Sequence, residues 1–216
     1  PMKELRNGLL TGLTLQFAIG PVFFFILNLV LQKSIWHGFA GVAGAATADY
    51  IYITLAIFGI GRLLEKPRVR RVFGVVSSLV LMGVGISLLR GALGGAAAVA
   101  QSAGTGSVWA SYAAVFGITI SSPLTIVFFT GLFAAKALEY GYTRRQLFLF
   151  GFGTGMATLL FMGGAVVLFS LIRAGVPVWL VGVLNGAVGC LLAGYGALRL
   201  WKTLREAKPE VEAAAE

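Results

Sequence analysis

The chain has 216 residues, of which 58% are apolar and 12% charged, and its mean hydropathy is +0.89. A water-soluble domain of that length cannot hide so much apolar surface, so much of the chain must face lipid. The net charge of +9 would suggest nucleic acid for a soluble protein; for a membrane protein the anionic inner leaflet accounts for it, and no nucleic-acid partner is expected.

Apolar runs long enough to cross a bilayer fall at 5–31, 36–61, 72–89, 108–135, 146–172 and 177–200. The expected fold is all-α: a polytopic membrane protein of six transmembrane helices. Together they make one transmembrane domain over 1–200, followed by a cytoplasmic tail over 201–216 whose Ala- and Glu-rich end is expected to be disordered. The period-two alternation of a membrane β-barrel is absent from the sequence. The first run is too long for a cleaved signal peptide.

In chain order, the first run reads LQFAIGPVFFFILN with Pro21 near its middle, and the second carries GAATADYIYI from Gly44. The third, 72–89, holds no acid. The fourth reads FGITISSPLTIVFFT with Pro123 near its middle, and the fifth carries GTGMATLLFM from Gly153. Gly151 to Gly155 in the fifth and Gly182 to Gly186 in the sixth have the GxxxG spacing that lets helix backbones approach, and Gly41 to Ala45 is a small-residue variant. Most such spacings serve internal packing; one on the sixth run leaves a homodimer open. Cys190 and His37 are the only residues of their types, so no disulfide framework, Cys/His metal site or other metal or cofactor is expected.

Fourteen of the seventeen Lys and Arg residues lie at the N-terminus (Lys3, Arg6), in the second connection (Arg62 to Arg71), in the fourth (Lys136 to Arg145) and at the C-terminal end (Arg199 to Lys208). The positive-inside rule then places both termini in the cytoplasm. Trp36, Trp109 and Trp179 fall at the outer ends of the second, fourth and sixth runs, as an interfacial aromatic belt requires.

The two halves resemble each other. Superposing Pro21 on Pro123 sets Gly20 on Ser122 and Asn28 on Thr130; superposing Gly44 on Gly153 sets Asp49 on Thr158. Three runs per half is an odd number, so the halves (5–89 and 108–200) form two inverted three-helix repeats, an architecture of secondary transporters. Each proline removes a helical hydrogen bond, which frees the carbonyl of Phe17 or Thr119, and biases Gly20 or Ser122 away from helical geometry. The half-helix beyond each proline offers a positive dipole end near the midplane. Asp49 is the only acid among roughly 150 positions at membrane depth, and a carboxylate there is costly enough to mark a functional site. A carboxylate beside two such helix ends suits a zwitterion, with its carboxylate on the helix N-termini and its ammonium near Asp49.

Structural roles for the same residues have to be weighed. The prolines could be kinks re-satisfied by Ser121, Ser122 and Thr125. Asp49 could be a hydrogen-bond hub held by Thr47, Tyr50 or Tyr52. Asn28 and Gln16 are expected to be interhelical hydrogen-bond groups rather than ligands. Phe23, Phe24 and Phe25 read as packing and lipid contact. Among functions, a passive channel would need a continuous polar stripe, and cation efflux would need several carboxylates or soft ligands near one another. No His-containing dyad, paired carboxylate or P-loop points to an enzyme.

The stretch from Gly12 to Gly61, with IGPVFFF and ATADYIYITLAIFG, resembles the lysine exporter (LysE/RhtB) family of bacterial amino-acid translocators, and ISSPLTIVFF resembles that family's second signature. Gly20, Pro21, Asp49 and Pro123 match its motif positions; Val22 and Ser122 stand where the family carries a polar residue and an Asn. The resemblance implies a multi-pass protein of the bacterial inner membrane that exports a small molecule, driven by the proton-motive force or by exchange. The expected exporter of amino acids or similar small zwitterions binds its substrate with Gly20, Pro21, Asp49, Ser121, Ser122, Pro123 and Thr158. At Asp49 protonation and ammonium binding compete, so that protons, substrate and membrane lipid are its partners.

Overall fold

The computed structural model describes residues 2–16, 20–59, 67–93, 106–138, 140–172, 175 and 177–205. Among them are eight helices and no strand: α1 (Met2–Gln16), α2 (Pro21–Gln32), α3 (Ile35–Ile57), α4 (Pro67–Leu93), α5 (Val108–Ile120), α6 (Pro123–Leu138), α7 (Arg144–Ile172) and α8 (Val178–Arg205). Among the described residues α3, α7 and residues 182–205 of α8 are long and apolar enough to cross a membrane. This is a helical membrane protein.

The expected runs 5–31 and 108–135 are each two helices, because proline starts a helix more readily than it continues one. Gly20 is extended (φ −115°, ψ 179°) before Pro21, and α5 ends at Ile120 before Pro123 opens α6. The third and sixth helices run longer than 72–89 and 177–200: Pro67 is tolerated as the first residue of α4, and basic residues carry α8 to Arg205. Side chains set other ends. Thr143 and Gln146 form a capping box at the start of α7, with Thr143 N donating to Gln146 Oε1 at 2.9 Å and Gln146 N to Thr143 Oγ1 at 3.5 Å. Gly59, with φ +71°, closes α3 in the left-handed conformation that glycine adopts without strain.

Helices in lipid associate by close packing, since lipid tails are as apolar as leucine. The longest seams are α4 against α8, α1 against α7, and α3 against α5 and α7, with α2 between α3, α7 and α8. Glycines and alanines make the seams. A Cβ on Gly153 would strike the carbonyl of Leu5, one on Gly8 the carbonyl of Phe150, and one on Gly44 the carbonyl of Tyr112. Gly151 and Gly155 face Ile53 and Tyr50 on α3, whereas Gly85, Gly189 and Gly196 hold α4 to α8. The GxxxG pair on α8 makes no such close seam, since a Cβ on Gly182 meets nothing within 4 Å and one on Gly186 meets only Ala92, at 3.9 Å. Gly8 and Gly12 on α1 also have the GxxxG spacing, and both abut α7.

Buried side chains form two clusters. One joins Ile26, Leu29 and Val30 of α2 to Val42, Val115, Val166 and Leu192; the other joins Tyr52, Ile53 and Ile57 of α3 to Phe129, Phe133 and Phe150. Trp36, Trp109 and Trp179 are exposed near the N-terminal ends of α3, α5 and α8, where a bilayer interface would meet them.

Gly8→Val and Gly153→Val each force backbone apart, so each should lower stability by roughly 1–3 kcal/mol. Gly182→Val should leave it nearly unchanged. Thermal unfolding of the purified protein in detergent distinguishes the two classes of site.

Candidate functional site

Along both α3 and α7 the two apolar clusters are separated by polar residues, and there the chain forms a partly open cavity of about 420 Å³. Its polar lining is Gln16, Asp49, Thr119, Thr125, Thr154 and Thr158; Gly20 opens onto it at the start of α2. Its apolar lining includes Leu15, Val22, Phe23, Phe128, Phe129 and Met162. The volume falls within the range of small-ligand sites.

Asp49 enters the cavity from α3 and is the single charged side chain among its described lining residues. Thr158 Oγ1 donates to Asp49 Oδ2 at 2.8 Å, and Gln16 Nε2 donates to Thr158 Oγ1 at 2.7 Å. The relay joins α1, α7 and α3. The neighbours on α3 that could have held Asp49 are bonded elsewhere: Thr47 to Ala43 O at 2.8 Å, Tyr50 to Phe152 O at 3.2 Å, and Tyr52 to the carbonyls of Ile120 and Ser122. Gln16 is an interhelical group, as expected, but it also lines the cavity. Asn28 is purely interhelical: with Gln32 and Asn185 it forms a buried amide cluster that ties α2 to α8.

The break between α5 and α6 is held from two sides. The Arg199 guanidinium, reaching from α8, donates through Nη1 to Ser121 O at 2.8 Å, and Tyr52 donates to the flanking carbonyls. The Thr119 carbonyl is not freed by Pro123, since it accepts from Ser122 N at 3.1 Å in a tightened last turn. Ser121 is buried, and neither it nor Ser122 lines the cavity; Thr119 and Thr125 do so from either side of the break. No side chain caps the N-terminus of α2. Pro21 and Pro123 are described as the first residues of their helices; residues 17–19, including the Phe17 carbonyl, lie outside the described residues.

The sequence reading brought Asp49 and Thr158 together and placed Gly20 beside them. It did not anticipate Arg199, counted only as a charge at the cytoplasmic end. The sole available signal was that Arg199 lies within the last apolar helix rather than beyond it.

A helical membrane protein with a central cavity around one carboxylate and two interrupted helices has the form of a small-solute translocator. Comparison with known proteins agrees: residues 13–202 match the LysE type translocator family. The chain belongs to that family. It is also 28% identical, over 162 residues covering 74% of this chain and 77% of the other, to a protein of Bacillus subtilis (strain 168) named "Putative amino acid efflux protein YcgF". No solved structure matches the chain.

Arg199→Leu removes the charged donor to Ser121 O and should cost roughly 1–2 kcal/mol of stability. Arg199→Lys should recover part of it. Because Tyr52 serves the same helix end, the Arg199→Leu/Tyr52→Phe double variant should depart from additivity, which a double-mutant cycle of unfolding free energies measures.

Proposed function

We propose that the chain is a secondary-active exporter of amino acids or similarly small zwitterions, working by alternating access around this cavity in the bacterial inner membrane with both termini cytoplasmic. The observation that carries the reading is the bond between Asp49 and Thr158, one from each half of the chain, in a cavity onto which two interrupted helices open. Family membership and the name of the Bacillus relative support it.

An inverted repeat is supported by the packing. Exchanging the halves turns the α1–α7 seam into α5–α3 and the α2–α7 contact into α6–α3, and returns α3–α7 and α4–α8 to themselves. The superposition that sets Asp49 on Thr158 also pairs Gly44 with Gly153, and each of these glycines abuts a carbonyl of the first half of an interrupted helix. The likeness ends at Asn28, which is bonded, whereas the buried Thr130 Oγ1 has no partner among the described residues.

In this reading a substrate's ammonium binds ionised Asp49 and its carboxylate lies toward the uncapped N-terminus of α2. A proton entering from outside neutralises Asp49 and releases the substrate, at most one proton per turn through this residue. Binding therefore strengthens as pH rises through the titration of Asp49 and weakens as pH falls. The cavity's lining is mostly apolar with few polar groups, which favours a binding site used by alternating access over a channel with a continuous polar path.

Asp49→Asn keeps an acceptor for Thr158, so the protein should fold while its export in proteoliposomes loses its pH dependence. Normal export with an unchanged pH profile would leave Asp49 a structural hub. For topology, cysteines introduced at Arg68 or Arg144 in a Cys190→Ser background should label only from the cytoplasmic side, and one at Gln101 only from outside. Reversed labelling at any of the three would remove the inverted repeat.

A further inference from the structure

We infer that the cavity selects neutral amino acids with sizeable apolar side chains, such as leucine, methionine and phenylalanine, over basic, acidic and small polar ones. The inference rests on the exporter reading and names its substrate class.

Charge is the first filter. Asp49 is the one charged group among the described lining residues; Arg199 is not among them, and its guanidinium donates through Nη1 to Ser121 O. A zwitterion with an uncharged side chain places one ammonium against one carboxylate. Lysine brings a second ammonium with no second acid to meet it, and glutamate a second carboxylate with no base. Either leaves a charge unpaired among mostly apolar lining side chains, which costs on the order of 100-fold in affinity.

Apolar surface is the second. α2 and α6 contribute Val22, Phe23, Phe128 and Phe129, with Thr125 their one polar lining side chain among the described residues, and Met162 adds a polarisable thioether from α7. Each substrate methylene buried there adds about tenfold in affinity, so glycine should bind weakly. Two of the neighbouring threonines have no proton left to donate to a hydroxylated side chain. Thr119 Oγ1 already donates to Val115 O at 2.8 Å, and Thr154 Oγ1 to Phe150 O at 2.9 Å.

The test is counterflow in proteoliposomes, run with labelled leucine, methionine, phenylalanine, glycine, serine, lysine and glutamate. Leucine, methionine and phenylalanine should exchange at concentrations about 100-fold below those that lysine, glutamate or glycine require. Lysine, glutamate or serine exchanging as well as leucine would overturn the substrate class and leave the exporter reading standing; no exchange of any amino acid would overturn both. Phe128 lines the cavity, so Phe128→Glu adds a second acid to its wall, which should raise lysine relative to leucine at least tenfold. An unchanged preference would show that this wall does not meet the substrate's side chain. Should the variant fail to fold, the wild-type series decides alone.

Discussion

Lipid offers no hydrogen bonds, so a helix interrupted at membrane depth must have its exposed backbone groups met by the rest of the protein. The break between α5 and α6 shows what that demands. Three successive carbonyls, of Ile120, Ser121 and Ser122, accept from Tyr52 on α3 and Arg199 on α8. The negative end of the α5 dipole thereby receives a cation, and the arginine gains an anchor that allows it to sit half-buried in an apolar helix. The break and the arginine each need the other, and together they tie α8 to the centre of the bundle.

The same economy governs the remaining polar groups. Asn28, Gln32 and Asn185 satisfy one another between α2 and α8, and Gln16 reaches Asp49 through Thr158. Burial in hydrocarbon would penalise any of them alone. Apolar packing does the rest, with glycine seams bringing α1 and α5 onto α7 and α3, so that each interrupted helix is clamped along its first half. Their second halves, α2 and α6, supply much of the cavity's apolar wall.

What was legible in the sequence were the features that cost most in lipid. Proline in an apolar run and a lone carboxylate are conspicuous because each needs compensation, so the starts of α2 and α6 and the place of Asp49 could be read directly. Self-similarity matched Asp49 with Thr158 as corresponding positions at similar depth, whereas the bond between them was not legible, since the nearer candidates were Thr47, Tyr50 and Tyr52. Compensating groups were harder to read because their partners are distant along the chain: Arg199 lies 78 residues from Ser121, and Gln16 lies 142 from Thr158. The Thr143–Gln146 capping box was visible in the sequence but lay beyond the apolar signal that set the helix limits. Glycine spacing was less informative: Gly182 and Gly186 on α8 are spaced for packing but face no tight seam within the chain, because spacing gives a helix face and not the neighbour it meets.

The relay at Asp49 responds unequally to its two charge states. With the carboxylate ionised, Thr158 spends its only proton on Oδ2 while its oxygen accepts from Gln16, so every donor points toward the acid. Once Oδ2 carries a proton it becomes a donor itself, and Thr158 must turn its own proton away. Its oxygen can then accept from both Gln16 and Asp49, since a hydroxyl has two lone pairs. The hydroxyl proton then needs a new acceptor, and the regular helical one is the carbonyl of Thr154, one turn back on α7. In the proposed cycle, protonation at Oδ2 would therefore weaken the hold on an ammonium and reverse a bond between α3 and α7, the two helices that run past the cavity into both apolar clusters.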